Sequence, residues 1–128
     1  HVSKEIAKYL HLEINQYFNP NRTAIKHFNN LSDEEKSLLI KENAKYGNIV
    51  CRCEVVSEAE VIDAIKRPLG ATDLDGIKRR TRTGMGRCQG GFCTPKIMAI
   101  LAKSLNVDIT DITKNCKNAN IVVGRVKI

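Results

Sequence analysis

Cys51-Arg52-Cys53 and Cys88-Gln89-Gly90-Gly91-Phe92-Cys93 gather four of the chain's five cysteines into two close pairs with a long helical stretch between them. Two such pairs read as ligands for one metal centre, so the fold must bring residues 51–53 against residues 88–93. An odd number of cysteines excludes complete disulfide pairing within the chain. No secretory signal precedes them, and in a reducing compartment clustered cysteines more often bind metal than each other.

The chain's 128 residues are enough for one compact domain with an appended helical segment, burying roughly two-thirds of the unfolded surface. Trp is absent and Phe and Tyr are few, so Ile, Leu and Val must fill the core. The longest apolar run is far too short to cross a bilayer. The chain begins at His1 without a methionine and enters helical periodicity at once, which reads as a piece excised from a longer protein. The formal charge of +7 fits nucleic acid, a membrane surface or an anionic centre held inside. Much of the excess lies between Lys78 and Arg87, beside the second cysteine pair, and only an internal centre uses that placement.

Ser3 is placed to cap a helix with Val2, Ile6, Tyr9 and Leu10 near one face. Asn15 to Asn30 is an Asn-rich connector containing Pro20. Ser32-Asp33-Glu34-Glu35 is a capping box opening a helix whose buried side is Leu38, Leu39 and Ile40, with Gly47 stopping the segment. Ile49 to Glu54 is expected to be extended. Ser57-Glu58-Ala59-Glu60 is a second capping box, with Val56 and Val61 as its hydrophobic staple. That helix buries Val61, Ile62 and Ile65 and ends before Pro68. Another starts at Thr72-Asp73-Leu74-Asp75 and carries Ile77 and the basic run. Thr94 caps a last helix with Pro95 in its first turn. Its apolar positions, Ile97, Met98, Ile100, Leu101 and Leu105, exceed one stripe and make it central. Thr110 begins a short turn, and Ile121 to Ile128 is an edge strand or a packed tail. The whole is mainly α, with residues 1–48 two modest helices and a loop without a chemical motif and residues 49–128 the metal-binding domain.

Residues two apart in an extended segment face one side, so Cys51 and Cys53 can share a centre while Arg52 points away. Cys93 stands where a helix begins, and the free amides there favour a thiolate and an anionic centre. Gly90 and Gly91 let the backbone wrap so that N–H groups face sulfur, which lowers thiol pKa values. Tetrahedral zinc and an iron–sulfur core both accept four thiolates. The tight Cys-x-Cys pair and the local positive charge favour the larger [2Fe–2S] core, with zinc, or four unrelated buried cysteines, as the other readings.

Cys51-Arg52-Cys53-Glu54 through Glu60, followed by Leu74 to Cys93 with its Arg-Thr-Gly-Met-Gly-Arg-Cys run, resembles the bacterioferritin-associated-ferredoxin-like (BFD-like) [2Fe–2S]-binding domain. The version it resembles most narrowly stands at the C-terminus of FAD-dependent, anaerobic-type glycerol-3-phosphate dehydrogenases. Phe28 to Tyr46 also resembles the connector of those enzymes, which implies that residues 1–48 are a helical connector from an upstream flavin domain. The resemblance implies a small helix-rich fold in which Cys51, Cys53, Cys88 and Cys93 ligate a [2Fe–2S] cluster. It implies a relay of electrons from reduced flavin to a membrane-associated or quinone-linked acceptor. The parent is then a cytoplasmic oxidoreductase, peripheral at the inner face of the membrane, with FAD in a domain of the same chain. Four residues separate the second pair, as in the dehydrogenase-linked branch and unlike the small free ferredoxins. The alternative is a zinc-stabilised docking domain of the same or a related flavin oxidoreductase.

No catalytic constellation and no Gly-x-Gly-x-x-Gly fingerprint stand in these residues, so substrate chemistry is expected outside them. Lys78, Arg79, Arg80, Arg82 and Arg87 lack interleaved aromatics and are assigned to cluster neutralisation or docking, not nucleic acid. Thr83-Gly84-Met85-Gly86 reads as a turn shaping the metal pocket. Cys116 reads as a bystander thiol, and His1, His11 and His27 as surface or connector residues.

Overall fold

A computed structural model describes every residue except Ile14, Arg22, Arg125, Lys127 and Ile128. The chain is mainly α: α1 (Val2–Tyr9), α2 (Asp33–Glu42), α3 (Glu58–Lys66), α4 (Leu74–Thr81) and α5 (Thr94–Leu105), with a small antiparallel pair of strands, β1 (Ile49–Cys51) and β2 (Val56–Ser57). Both capping boxes form. The Glu35 amide donates to Ser32 Oγ at 3.3 Å and Ser32 N to Glu35 Oε2 at 2.8 Å. The Ser57–Glu60 pair repeats the pattern at the start of α3. Asp73 caps α4 by accepting the Gly76 amide, satisfying one of the orphan donors of a first helical turn.

The main core lies where α3, α4 and α5 meet, around the fully buried Val61, Ile77 and Leu101. Val56 and Val61 pack in it as the staple at the start of α3. Cys51 and Cys93 belong to the same core, so the metal pocket is built into its edge. A second, smaller core joins Phe28, Leu39, Tyr46 and Ala59, with the Phe28 and Tyr46 rings stacked at 6.4 Å. It sets the 3-10 turn Ala44–Gly47 against both α2 and α3. Glu60, itself buried, fastens the two layers. Its Oε2 accepts from the Ser57 amide and hydroxyl, and its Oε1 accepts the Phe28 amide at 3.2 Å.

Several local expectations are corrected. α1 starts at Val2, with His1 at its cap position and Ser3 inside the first turn, and buries none of its residues. In α2 only Leu39 is buried, because a helix on a surface covers one stripe; Leu38 and Ile40 fall outside it and are exposed. The helix ends at Glu42, before Gly47, where the Asn43 side chain takes the Lys45 amide and starts the 3-10 turn. Cys93, not Thr94, is the cap residue of α5; the Thr94 hydroxyl donates to the Gly90 carbonyl at 2.7 Å. In the third helix Ala64 is buried instead of Ile62, which is half-buried. Thr110 lies in a 3-10 turn, Ile109–Asp111, capped by Asp108. The tail forms no strand among the described residues: a single bridge pairs Thr113 with Asn120, Val122 packs on the core, and Val123 is exposed. The end of that expected strand, at Arg125, Lys127 and Ile128, lies outside the described residues.

Candidate metal centre

β1 ends at Cys51, and the chain turns through Arg52 to Val55 before β2. Cys53 therefore sits in a turn instead of an extended segment, and the face-sharing argument does not apply to it. The turn is tight enough to force Val55 to φ +51°, unusual for a β-branched residue. Arg82 holds it from outside, its Nε donating to Glu54 Oε2 at 2.8 Å. Gly86 packs so closely beneath that a Cβ there would overlap the Cβ of Cys53. On the other wall, Gly90 takes φ +87°, a conformation only glycine adopts freely, so that the chain can pass from Cys88 to Cys93 and enter α5.

These two walls enclose a cavity of about 460 Å³ lined by Cys51, Cys53, Cys88 and Cys93, with Val50, Arg52, Arg87, Phe92 and Lys96 completing it. All four cysteines singled out by the sequence thus reach one space. They are graded in depth: Cys51 and Cys93 are buried, Cys88 is half-buried and Cys53 is exposed. The Cys53 and Cys88 sulfurs lie 3.7 Å apart at the mouth, and Cys51 neighbours Cys93 at the base. Each pair takes one member from each motif.

The electrostatics of the two ends differ. The backbone N–H groups of Phe92 and Gly90, then the Cys53 thiol and the Gly91 N–H, hold Cys88 below the usual thiol range. This is the glycine-loop effect read from the sequence. Cys93 behaves oppositely: burial first, then the neighbouring Cys51 and Cys88 thiols, push it up to about 11, against a lowering contribution from the Gly84 N–H. A helix N-terminus alone does not offset the loss of water at that depth.

The donor set suits a core with two irons and two thiolates on each. Among the described residues no group of three or more His, Cys, Asp or Glu side chains is drawn together closely enough to hold a metal ion, so the four cysteines share the cavity as two separate pairs. Arg52, read from the sequence as pointing away, lines the cavity because its turn rotates it back. Lys96 was missed altogether. It follows Cys93 by three residues at the start of α5, and that helical spacing was the signal that could have found it. Of the basic run only Arg87 lines the cavity. Arg80 instead donates to the carbonyls of Leu69 and Gly76, at 2.8 and 3.0 Å. Thr83 and Gly84 form the expected turn, closed by the Met85 amide donating to the Arg82 carbonyl at 3.1 Å, and Gly86 opens the next one. Cys116 is exposed and does not line the cavity. His1, His11 and His27 are all exposed, as expected, and His27 Nδ1 also stands 3.6 Å from Glu60 Oε1 at the joint between the two cores.

Residues 49–103 match the family model of the BFD-like [2Fe-2S] binding domain. Over 98% of its length the chain is 46% identical to a glycerol 3-phosphate dehydrogenase of Caloramator mitchellensis, and covers 26% of that protein. Half of the chain is 36% identical to 12% of an anaerobic glycerol-3-phosphate dehydrogenase subunit from Escherichia coli K12. A stretch covering 41% of the chain is 42% identical to 11% of hydrogen cyanide synthase subunit HcnB of Pseudomonas aeruginosa. The chain therefore spans about a quarter or less of the length of these relatives. No solved structure matches it.

Proposed function

We propose that this chain is the electron-transfer segment of an FAD-dependent glycerol-3-phosphate dehydrogenase, with Cys51, Cys53, Cys88 and Cys93 holding a [2Fe–2S] cluster. The observation that carries this reading is the convergence of all four cysteines on one cavity within the segment that matches the [2Fe-2S] family. The similarity over nearly the whole chain to a glycerol 3-phosphate dehydrogenase supports the choice of parent. A bound cluster supplies one-electron storage between a two-electron flavin and its acceptor. The protein's part is to bind and tune. Four thiolates hold the irons, the N–H groups of Phe92, Gly90 and Gly91 favour charge on the Cys88 sulfur, and Arg52, Arg87 and Lys96 offset the negative charge of the centre. The core behind Cys51 and Cys93 excludes water from the inner pair.

In this reading residues 1–48 connect the flavin part to a cluster domain of residues 49–128, and oxidation of the substrate takes place outside the chain. The isolated chain is accordingly expected to show no turnover of glycerol 3-phosphate, measured by dye reduction. Anaerobic purification with iron, sulfide and zinc analysis and visible absorption tests the cluster itself. Two irons and two sulfides per chain are expected. A colourless protein carrying one zinc, even after anaerobic cluster reconstitution, would overturn the reading in favour of a zinc-stabilised docking domain.

A further inference from the structure

Phe92 occupies an odd position for a large apolar side chain. It sits between Gly91 and Cys93 in the loop that carries half of the thiols, lines the cavity and is 83% exposed. Neither of its neighbours in sequence shields it, and it takes no part in either core. Three cations line the same cavity: Arg52 from the Cys53 turn, Arg87 from the turn before Cys88, and Lys96 from the first turn of α5. All three are exposed. None forms an ion pair among the described residues, although other basic side chains nearby do, Arg82 with Glu54 and Lys114 with Asp75.

An exposed aromatic beside a ring of unpaired positive charges is a common form of a protein-binding surface: apolar centre, polar rim, aromatic and arginine anchors. Its location adds the direction. The mouth of the cavity, where Cys53 and Cys88 stand, is the side of the metal site closest to solvent. A basic track for nucleic acid would carry stacking aromatics along it, whereas here one aromatic stands at a redox cavity.

We propose that Phe92, with Arg52, Arg87 and Lys96, forms the docking surface for a redox partner that presents carboxylates around an apolar centre. This inference rests on the [2Fe–2S] reading above and assigns its outlet. Opposite charges steer the encounter and set the orientation, and Phe92 supplies the contact buried at the centre. The acceptor then approaches the Cys53–Cys88 end, and the Cys51–Cys93 end faces the protein's own core.

The test uses the full-length holoprotein and a flavodoxin of net negative charge as probe, with binding followed by calorimetry at about 20 and about 200 mM salt. Binding is expected to weaken with salt, about tenfold or more in the double variant Arg52→Glu/Lys96→Glu, and severalfold in Phe92→Ala. A control of equal charge change away from the cavity, Lys4→Glu/Lys41→Glu, is expected to bind as the parent does. Equal loss in that control would reduce the effect to net charge and overturn the docking surface. Unchanged binding in Phe92→Ala and in Arg52→Glu/Lys96→Glu, or tighter binding of a single-stranded oligothymidylate than of the flavodoxin, would overturn it as well. The visible spectrum separates the two levels. Salt-independent binding by a protein with its iron–sulfur absorption intact rejects the docking surface alone, and absence of that absorption from the unsubstituted, reconstituted protein rejects the cluster reading and the docking inference together.

Discussion

At the scale of single residues, the cavity depends on contacts that leave no room for a methyl group. Gly86 abuts the Cβ of Cys53, so Gly86→Ala must displace either the turn before Cys88 or the turn after β1. Overpacking of this kind costs about 1–3 kcal/mol. The expected outcome is a lower melting temperature together with substoichiometric iron after reconstitution. Full iron loading at an unchanged melting temperature would show that the two turns can move apart freely. The thiols also differ in a measurable way. Backbone N–H groups lower the pKa of Cys88 and leave it partly accessible, whereas burial raises that of Cys93 to about 11. In the metal-free chain at neutral pH, iodoacetamide should therefore label Cys88 well before Cys93, as read by peptide mass spectrometry. Labelling in the reverse order would contradict the depth grading of the site.

Among the elements, α4 shows how local sequence signals and long-range packing divide the work. Its cap, Asp73, takes the amide of Gly76. Its last turn carries Lys78, Arg79 and Arg80, which suit the negative end of the helix dipole. Asp73→Ala should cost about 1 kcal/mol in denaturant unfolding and Asp73→Asn only a few tenths. Equal losses would mean that the charge, not the cap hydrogen bond, is what matters. Such caps were legible in the sequence because they depend on residues three apart. The cysteine motif was legible for a similar reason, since the type and spacing of its ligands are local. What escaped was set by contacts across the chain. Leu38 and Ile40 look as apolar as Leu39, and only packing with Phe28, Tyr46 and Ala59 across the chain decides which is covered. Arg52 faces the cavity because of a turn whose conformation, with Val55 at positive φ, no local rule anticipates. Strand propensity in the tail could not supply a partner strand, and among the described residues none is there.

For the molecule as a whole, the joint between the two cores is the feature with the widest reach. Tyr46 belongs to the smaller core, and its hydroxyl donates to Asp63 Oδ2 of α3 at 3.0 Å. Burial, then the charge of Asp63 and this hydrogen bond, push the phenol up to about 12 from an ordinary 10.0. The protonated phenol is thus favoured in the folded state. Its contribution to stability is complete below pH 10 and is lost as the pH rises through about 12. Tyr46→Phe should flatten the alkaline fall in stability across that window, followed by circular dichroism; a fall as steep as the parent's would locate its cause elsewhere. Beside this contact lies Glu60, whose carboxylate closes the cap of α3 with one oxygen and holds the Phe28 amide with the other. One side chain therefore serves as both the cornerstone of a helix and the rivet of a seam. Because Ile25 packs on the main core and the Phe28 amide is held by Glu60, the chain is moored to the cysteine-bearing body before α2 begins, so loosening the Glu60 carboxylate would unfasten α2's layer and the start of α3 together.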